Sequence, residues 1–534
     1  MNQEMLNFCM QKGLLIDRKI LDLLGELENV EIAKNLLELI EYKYKQKIIT
    51  LSFFKNNLDK VYEIISSYKG NNLELIKFFF NNLGIILPEE TLRDNENINL
   101  SSEKRFNVKL TKVYQNRPKK IEVRDFVNNF RNRFNSIRAI LQERIELDNL
   151  LSISRINGKN SDKGNHNSFS IIAMVFDKRT TKNGNIILEI EDLTGRISAL
   201  ITKNKIEVFE KSKELLLDEV IALKCSYNGE ILFVTDLFFP DIKLLEKKKS
   251  QIDEIIAFIS DIHVGSNKFL ESNFERFIEW INGNIGTKEQ REEALKVKYL
   301  FITGDCVDGV GVYPDQESQL IIKDVNEQYK KLSSMLLRIR DDLKMILCAG
   351  QHDAVRVAEP QPIIGEFFGQ SMKEVKNLYL VTNPSLIEVG AKVQFKVLMY
   401  HGASMHGIIN EIEKLRLGKS HDSPTEVVKY MLKKRHLAPS HSLVTYTPLE
   451  KEDALMINEI PDIVVTGDLH RPEVSEYNGV LLISGSCWQA RTPFEEKVGN
   501  NPDPCKVPLF NMKTREVKII DFSDGIKKGG ENAD

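Results

Sequence analysis

The chain has 534 residues, of which 28% are charged, and a formal net charge of −3. That length exceeds what one hydrophobic core organises and predicts about three domains of ordinary size. The near-neutral balance excludes a protein that binds polyanions with its whole surface, so any nucleic-acid contact has to come from a local patch. The six cysteines are scattered without a CxxC pair, which argues against a zinc knuckle or a disulfide framework and for a reducing, cytoplasmic setting. No run of about 18 uncharged apolar residues occurs, and the N-terminus MNQEMLNFCMQKGLL lacks the features of a signal peptide, so no membrane association is expected.

Residues 1–85 carry apolar side chains at helical spacing, first Ile16, Ile20, Leu21, Leu23 and Leu24, then Leu36, Leu37, Leu39 and Ile40, and predict a small helical domain. Residues 86–122 are polar and Asn-rich, with Pro88 and Pro118, and predict a linker. A connecting helix and loop are expected over 123–165. Between Lys104 and Arg138, eleven Lys or Arg stand against two acids, Glu122 and Asp125, a run that either grips phosphates or is a solvated face. Phe126, Phe130 and Phe134 fall four apart, which is more often a packed helix stripe than a set of base-stacking rings.

From 166 to 245 the period switches to two. SFSIIAMVF, NIILEIEDL, RISALIT, EVIALKCSY and EILFVTDLFF are five short strands separated by the turn signals GNI, TGR and NGE, and predict an OB-type β-barrel. Such barrels hold single-stranded nucleic acid or only mediate protein contacts. Phe169, Phe176, Tyr227 and Phe233 are the candidate stacking rings, and a strand-core role is the better reading of them.

Residues 250–525 alternate continuous apolar strands with helical stretches, the pattern of an α/β layered domain, and hold eight of the nine histidines; residues 526–534 form a polar tail. Five of the six strands IIAFIS, YLFITG, KMILCAG, FKVLMY, DIVVTG and VLLISG lead into Asp, His or Gln. Ligands of such sheets gather beyond the carboxyl ends of the strands, so these loops are expected to converge on one pocket with a metal pair as its cargo. Asp261 and His263, two apart, can chelate one cation. Asp305 can bridge two ions about 4 Å apart. His401, Asp468 and His470 add ligands from distant strands. In SPTEVVKYMLKKRH, Ser423, Pro424 and Glu426 predict a helix starting near Pro424, and its basic end, Lys433, Lys434 and Arg435, is a candidate contact for DNA or a partner, as is Arg356 for DNA.

GDCVDG, GQHD and GDLH, following DIHVG, resemble the motifs of calcineurin-like metallophosphoesterases over residues 254–490. Within that superfamily, AGQHDAVRVAEPQP, MLKKRHLAPSHS, PDIVVTGDLHR and GSCWQARTPFEEKVG resemble the small subunits of archaeal family D DNA polymerases, and the order of helical domain, barrel and phosphoesterase domain resembles theirs over nearly the whole chain. The resemblance implies an αββα sandwich and a 3'-5' exonuclease that pairs with a large catalytic polymerase subunit and acts on DNA, especially single-stranded 3' ends. Carried over by motif, Asp261, His263, Asp305 and His470 would hold one metal, and Asp305, Gln351, His401 and Asp468 the second. His352, held by Asp353, would donate the proton, with Asp308 supporting the loop behind the ligands.

Two positions depart from the family pattern, which has Asn before the catalytic His and two histidines in the last motif: here they are Gln351 and Asp468. Both fall on the second metal and favour harder ions, so manganese is the expected cofactor, with magnesium, zinc or iron as alternatives. A non-catalytic accessory subunit and a phosphatase of another substrate class are the competing readings. Retention of Asp261, His263, Asp305, His352, His401 and His470 argues against the first, and the barrel with the polymerase-subunit strings argues against the second.

Overall fold

The computed structural model describes residues 2–25, 30–44, 47–50 and isolated positions between 53 and 80, then 108–112, 114, 120–158 and 168–524 apart from residue 499. The chain divides into two units, Met1–Glu103 and Lys104–Asp534. In the first, helices Asn2–Lys12, Arg18–Gly25 and Val30–Tyr44 and a short parallel pair, β1 (Leu15–Ile16) and β2 (Ile48–Ile49), surround a core that includes Ile20, Leu24, Leu36, Leu37 and Ile40. Ile16, expected on the helical stripe, lies in β1 instead, and Leu21, Leu23 and Leu39 pack against that core only partly buried because the stripe is wider than the face it covers.

The second unit begins with a departure from the sequence reading. Within the stretch 86–122 expected as a linker, Val108–Lys112 form strand β3, antiparallel to a strand nearly 280 residues later. Most of that stretch lies outside the described residues. Helix Val123–Gln142 follows, with the Asp125 carboxylate accepting from the Glu122 N–H at 2.9 Å. Its Phe134, Ile137 and Leu141 are buried against Ile172, Met174, Val220 and Ala222 of the barrel, so Phe134 is core. Arg133, in the middle of the basic run, is buried too, its Nε 2.8 Å from Asp453 Oδ2. Charge density along the sequence did not distinguish this internal ion pair from a phosphate grip.

Five strands, β4 (Phe169–Thr180), β5 (Ile186–Asp192), β6 (Gly195–Ile201), β7 (Val220–Tyr227) and β8 (Leu232–Phe238), close a barrel in the order β4-β5-β6-β8-β7. Alternate residues point inward, Ile186, Leu188 and Ile190 of β5 among them. Phe169 is core, whereas Phe176 is exposed, with the Arg196 guanidinium 3.3 Å from its ring centroid.

The remaining strands are β9 (Ile255–Ile259), β10 (Val297–Thr303), β11 (Lys344–Cys348), β12 (Leu378–Val381), β13 (Ser385–Val389), β14 (Phe395–Met399), β15 (Ile463–Thr466), β16 (Glu473–Tyr477), β17 (Val480–Ser484), β18 (Lys506–Asn511) and β19 (Val517–Asp521). They and β3 build two six-stranded sheets, β12-β11-β10-β9-β18-β19 and β16-β17-β15-β14-β13-β3. Phe258, Phe301 and Ile346 of one sheet share a buried cluster with Val397, Val465 and Ile483 of the other. The other faces are covered by helices: Phe274, Phe277, Trp280, Tyr329 and Leu332 pack on the first sheet, and Ile408, Ile409, Val427, Val428 and Met431 on the second. Strands covered on both sides must be apolar throughout, which is why β9 and β17 are buried at every position. Helix Pro424–Lys434 starts where expected, with Pro424 in its first turn. The Ser423 side chain makes no capping bond, however, and the Thr425 N–H is taken instead by Glu473 at 2.8 Å. Among the described residues no helix is long and apolar enough to cross a membrane.

Candidate metal centre

The parallel strands β9, β10, β11, β14 and β15 all end at one place, and the residues just past them turn inward. Asp261, His263, Asp305, Asp468 and His470 all have left-handed backbones, with φ of 51, 54, 49, 68 and 55°. Such conformations cost non-glycine residues energy and persist only where surrounding bonds enforce them. Here the strand-end loops brace one another: the Asp261 N–H donates to the Gly304 carbonyl at 3.0 Å, His263 N–H to Asp305 at 3.0 Å, and Gly467 N–H to His401 at 2.8 Å. Gly350 is required for a different reason, because a Cβ there would overlap both the Asp305 carboxylate and the His401 ring.

This bracing brings the seven ligand candidates together. Asp305 Oδ1 accepts the His352 N–H at 2.8 Å, which leaves Oδ2 facing His401 Nε2 at 3.3 Å and His263 Nε2 at 4.0 Å. Asp261 Oδ1 lies 3.4 Å from His470 Nε2 and 4.0 Å from His401 Nε2. The Nε2 atoms of His263 and His470 are 3.3 Å apart. Gln351 Nε2 donates to Asp468 Oδ1 at 3.0 Å. Gln351 Oε1, His401 Nε2 and Asp468 Oδ2 are buried with no hydrogen-bond partner, an arrangement that native interiors avoid unless something else satisfies the atoms. Asp261, His263 and His470 form one group whose ligand atoms lie within 4.8 Å of one another, and Asp261, Asp305 and His401 form a second.

The electrostatics of the pocket fit cations. Burial drives every carboxyl toward neutrality, yet His470 and His401 hold Asp261 below the usual range, and His401 and His352 do the same for Asp305. Burial also disfavours imidazolium, but Asp305 and Asp261 raise His401 well above an ordinary histidine, and Asp308 raises His263. So much buried negative charge demands positive charge. Divalent cations would supply it, at the expense of any proton the imidazoles carry.

Behind the ligands stands a ring of orienting groups. Asp308 Oδ1 accepts from His263 Nδ1 at 3.0 Å and from Gln489 Nε2 at 3.0 Å, while its carbonyl lies 2.8 Å from His352 Nδ1. His401 Nδ1 donates to the Thr303 carbonyl at 2.8 Å, and Glu495 Oε1 lies 2.8 Å from His470 Nδ1. These bonds fix which ring nitrogen faces the pocket. Gln316 Nε2 donates to the Asp308 carboxylate at 3.0 Å, and Glu495, Gln489 and Gln316 all escaped the sequence reading, since none directly follows a strand end. Gln489 and Glu495 lie within the string GSCWQARTPFEEKVG, and Gln316 lies shortly after the GDCVDG loop.

Several expectations are corrected. Asp353 does not hold the His352 ring: its Oδ2 accepts the N–H groups of Gly350 at 2.8 Å and Cys306 at 3.2 Å, and its Oδ1 accepts from the Tyr329 hydroxyl at 3.0 Å. It fastens two ligand loops together, and the Asp308 carbonyl orients His352 instead. The basic end of helix Pro424–Lys434 is not an open nucleic-acid patch. Lys433 Nζ lies 2.6 Å from Glu214 Oε2, and the buried Lys434 lies 2.7 Å from Glu219 Oε2 and 3.5 Å from the Phe239 ring centroid. Arg435 donates to the carbonyls of Ile457 and Asn458, both at 2.7 Å. Lys433 and Lys434 thus tie the α/β domain to the barrel side of the molecule, and Arg435 is bound within the α/β domain itself. Arg356 is half-buried and donates to the carbonyls of Ala358 at 3.0 Å and Pro360 at 2.6 Å, so its guanidinium is spent on its own loop.

Fold and pocket define the class: a two-sheet α/β protein with a pocket of metal-type side chains at its strand ends, joined to a closed barrel. A family model describing the B subunits of DNA polymerases alpha and epsilon matches residues 256–475. The chain belongs to the family of archaeal DNA polymerase II small subunits. It is 36% identical over 402 residues to that subunit from Methanothermobacter thermautotrophicus, spanning 75% of this chain and 80% of the relative. The Archaeoglobus fulgidus subunit is 35% identical over 398 residues, spanning 74% and 77%. The Pyrococcus furiosus subunit is 36% identical over 407 residues, spanning 76% of this chain and 64% of the longer relative. Among solved structures, an archaeal phosphodiesterase is 14% identical with a TM-score of 0.24, covering 50% of this chain and 98% of its own. A zinc-bound Vps29 from Entamoeba histolytica is 14% identical with a TM-score of 0.22, covering 50% and 99%.

Proposed function

We propose that the strand-end pocket holds two divalent cations and hydrolyses DNA phosphodiesters as a 3'-5' exonuclease, serving a large polymerase subunit with which the chain pairs. The observation that carries this reading is the placement of Asp305 Oδ2 between the imidazoles of His401 and His263, with the buried Gln351 Oε1 and Asp468 Oδ2 beside it lacking a hydrogen bond. Asp261, His263, Asp305 and His470 would hold one ion, and Asp305, Gln351, His401 and Asp468 the other. Gln351 and Asp468 contribute oxygen to the second position, which suits manganese or another hard ion, with zinc or iron as the softer alternatives. When bound, such a pair supplies an activated water and neutralises charge on the phosphate oxygens.

The chain's own residues do the rest. His352 keeps a proton on Nδ1 for the Asp308 carbonyl, so Nε2 is the nitrogen it presents to the cleft, placed to protonate the departing 3' oxygen. Asp308 orients His263 and His352 at once, and Asp353 holds the Asp305 loop against the Gln351–His352 loop. The β4-β5-β6-β8-β7 order supports an OB reading of the barrel, and helices outside two facing sheets support αββα layering. The test compares metal-dependent release of mononucleotides from single-stranded DNA with hydrolysis of an aryl phosphate monoester. Preference for the monoester would make the protein a phosphatase, and inertness toward both with metal bound would make it an accessory subunit.

A further inference from the structure

The ligands occupy only the floor of a cleft of about 840 Å³, a volume toward the upper end of the roughly 300–1,000 Å³ typical of small-ligand sites. One wall is built from His406, Arg416, Lys419 and His421. It starts at the ligands, with His406 Nε2 3.6 Å from Asp468 Oδ2, and runs outward to His421, whose ring centroid is 5.2 Å from that of His406.

Cations elsewhere on this unit are commonly matched to carboxylates: Lys330 to Glu327, Lys429 to Glu426 and Lys433 to Glu214, each at 2.6 Å. Arg416 and Lys419 are exposed and have no acidic partner among the described residues. Both are nevertheless held in place. Arg416 donates to the Asn410 carbonyl. Lys419 sits at φ 51°, a backbone that lysine adopts only when enforced, in a turn closed by its N–H to the Arg416 carbonyl at 3.2 Å and by the Asp422 N–H to its own carbonyl at 2.8 Å. Asp422, the acid on this wall, is drawn off by Arg471 at 3.5 Å.

We propose that Arg416 and Lys419 bind a second phosphate of the substrate strand, beyond the phosphodiester being cut, so that the site selects polynucleotides over isolated phosphate esters. The inference rests on the nuclease reading for the identity of its substrate. A guanidinium fork and an ammonium, left unneutralised beside an anionic floor, match a phosphate that stays intact through the reaction. An isolated ester fills the floor and gains nothing from the wall.

The test uses the full chain with Arg416→Gln and Lys419→Gln, singly and together, and a single-stranded oligonucleotide. Binding is measured by anisotropy in chelator across a salt series, metal content by titration with manganese, and cleavage of the oligonucleotide against that of bis(p-nitrophenyl) phosphate. The double variant is expected to keep its metal content and to bind the oligonucleotide about 10- to 100-fold more weakly, as for loss of a hydrogen bond to a charged group. Its log-log salt slope should shrink by about 0.7 for each phosphate no longer neutralised. The rate ratio of oligonucleotide to aryl diester should fall by a similar factor, and Arg416→Lys should restore part of the slope. An unchanged slope and ratio in the double variant would overturn the proposal. If the wild type cuts neither ester, the nuclease reading falls, and the salt slope still decides whether the wall holds phosphate.

Discussion

The sharpest mechanistic prediction concerns His352→Ala. The His352 backbone N–H, not its ring, bonds to Asp305 Oδ1 at 2.8 Å, and that bond survives the substitution. The ring's own partners are the Asp308 carbonyl at 2.8 Å and, edge-on at 4.8 and 6.1 Å between centroids, the rings of His263 and Tyr313. The variant therefore loses the proton at Nε2 while the ligand groups keep their geometry, and it should retain both ions. A positioned general acid is worth about 100- to 10,000-fold, so DNA cleavage should slow by at least about 100-fold, or about 2.7 kcal/mol of barrier. The leaving group supplies the control. A 3' alkoxide needs a proton to depart and a nitrophenolate does not, so hydrolysis of bis(p-nitrophenyl) phosphate should fall far less. Single-turnover rates on both esters and metal stoichiometry, taken from one preparation, make the comparison. Equal slowing of the two esters, or loss of metal with a normal rate per bound pair, would refute the acid role.

Three further outcomes follow from the same geometry. Asp305→Asn, which removes the carboxylate between the two imidazoles, should lower manganese stoichiometry below two and abolish cleavage while circular dichroism stays native; two tightly bound ions with wild-type turnover would contradict it. Glu359, buried and hydrogen-bonded by the Tyr400 hydroxyl at 3.2 Å, is pushed up to about 8 by burial, so it folds neutral while the unfolded chain ionises from 4.5 upward. That group's destabilisation is absent below pH 4.5 and grows until pH 8; Glu359→Gln should thus stabilise the protein by about 3 kcal/mol at pH 7 and hardly at all at pH 4, and a gain independent of pH in denaturant titrations would refute the cause. Asp453→Ala strands the buried Arg133 beneath the barrel and should cost about 3–5 kcal/mol in unfolding free energy; a loss under about 1 kcal/mol would show that the ion pair is not what holds the connecting helix.

What the sequence made legible was local. Continuous apolar runs marked strands buried on both faces, Pro424 marked a helix start, and an acid or histidine just past a strand marked a residue of the strand-end pocket, because each depends on neighbours within a few residues. Long-range partners were not legible. Nothing local to Lys433 and Lys434 reveals that Glu214 and Glu219, more than 200 residues earlier, await them. The same holds for β3, whose polar neighbourhood hides a strand that pairs with β13, nearly 280 residues on. Asp353 misled for a related reason: adjacency to His352 suggested contact, but consecutive side chains past the strand diverge, and its carboxylate turns to the backbone of two loops. Glu495 supplies the bond that orients His470 from the start of a short helix, a place where an acid ordinarily serves only the helix dipole.

The most direct measurement restores manganese to chelated protein in steps and follows bound ions and release of 3'-terminal nucleotides from single-stranded DNA on the same sample. A pocket that works with two ions predicts that cleavage tracks occupancy of the second position to fill, and that no cleavage accompanies the first. Two ions bound without cleavage, or cleavage that persists in chelator, would contradict it.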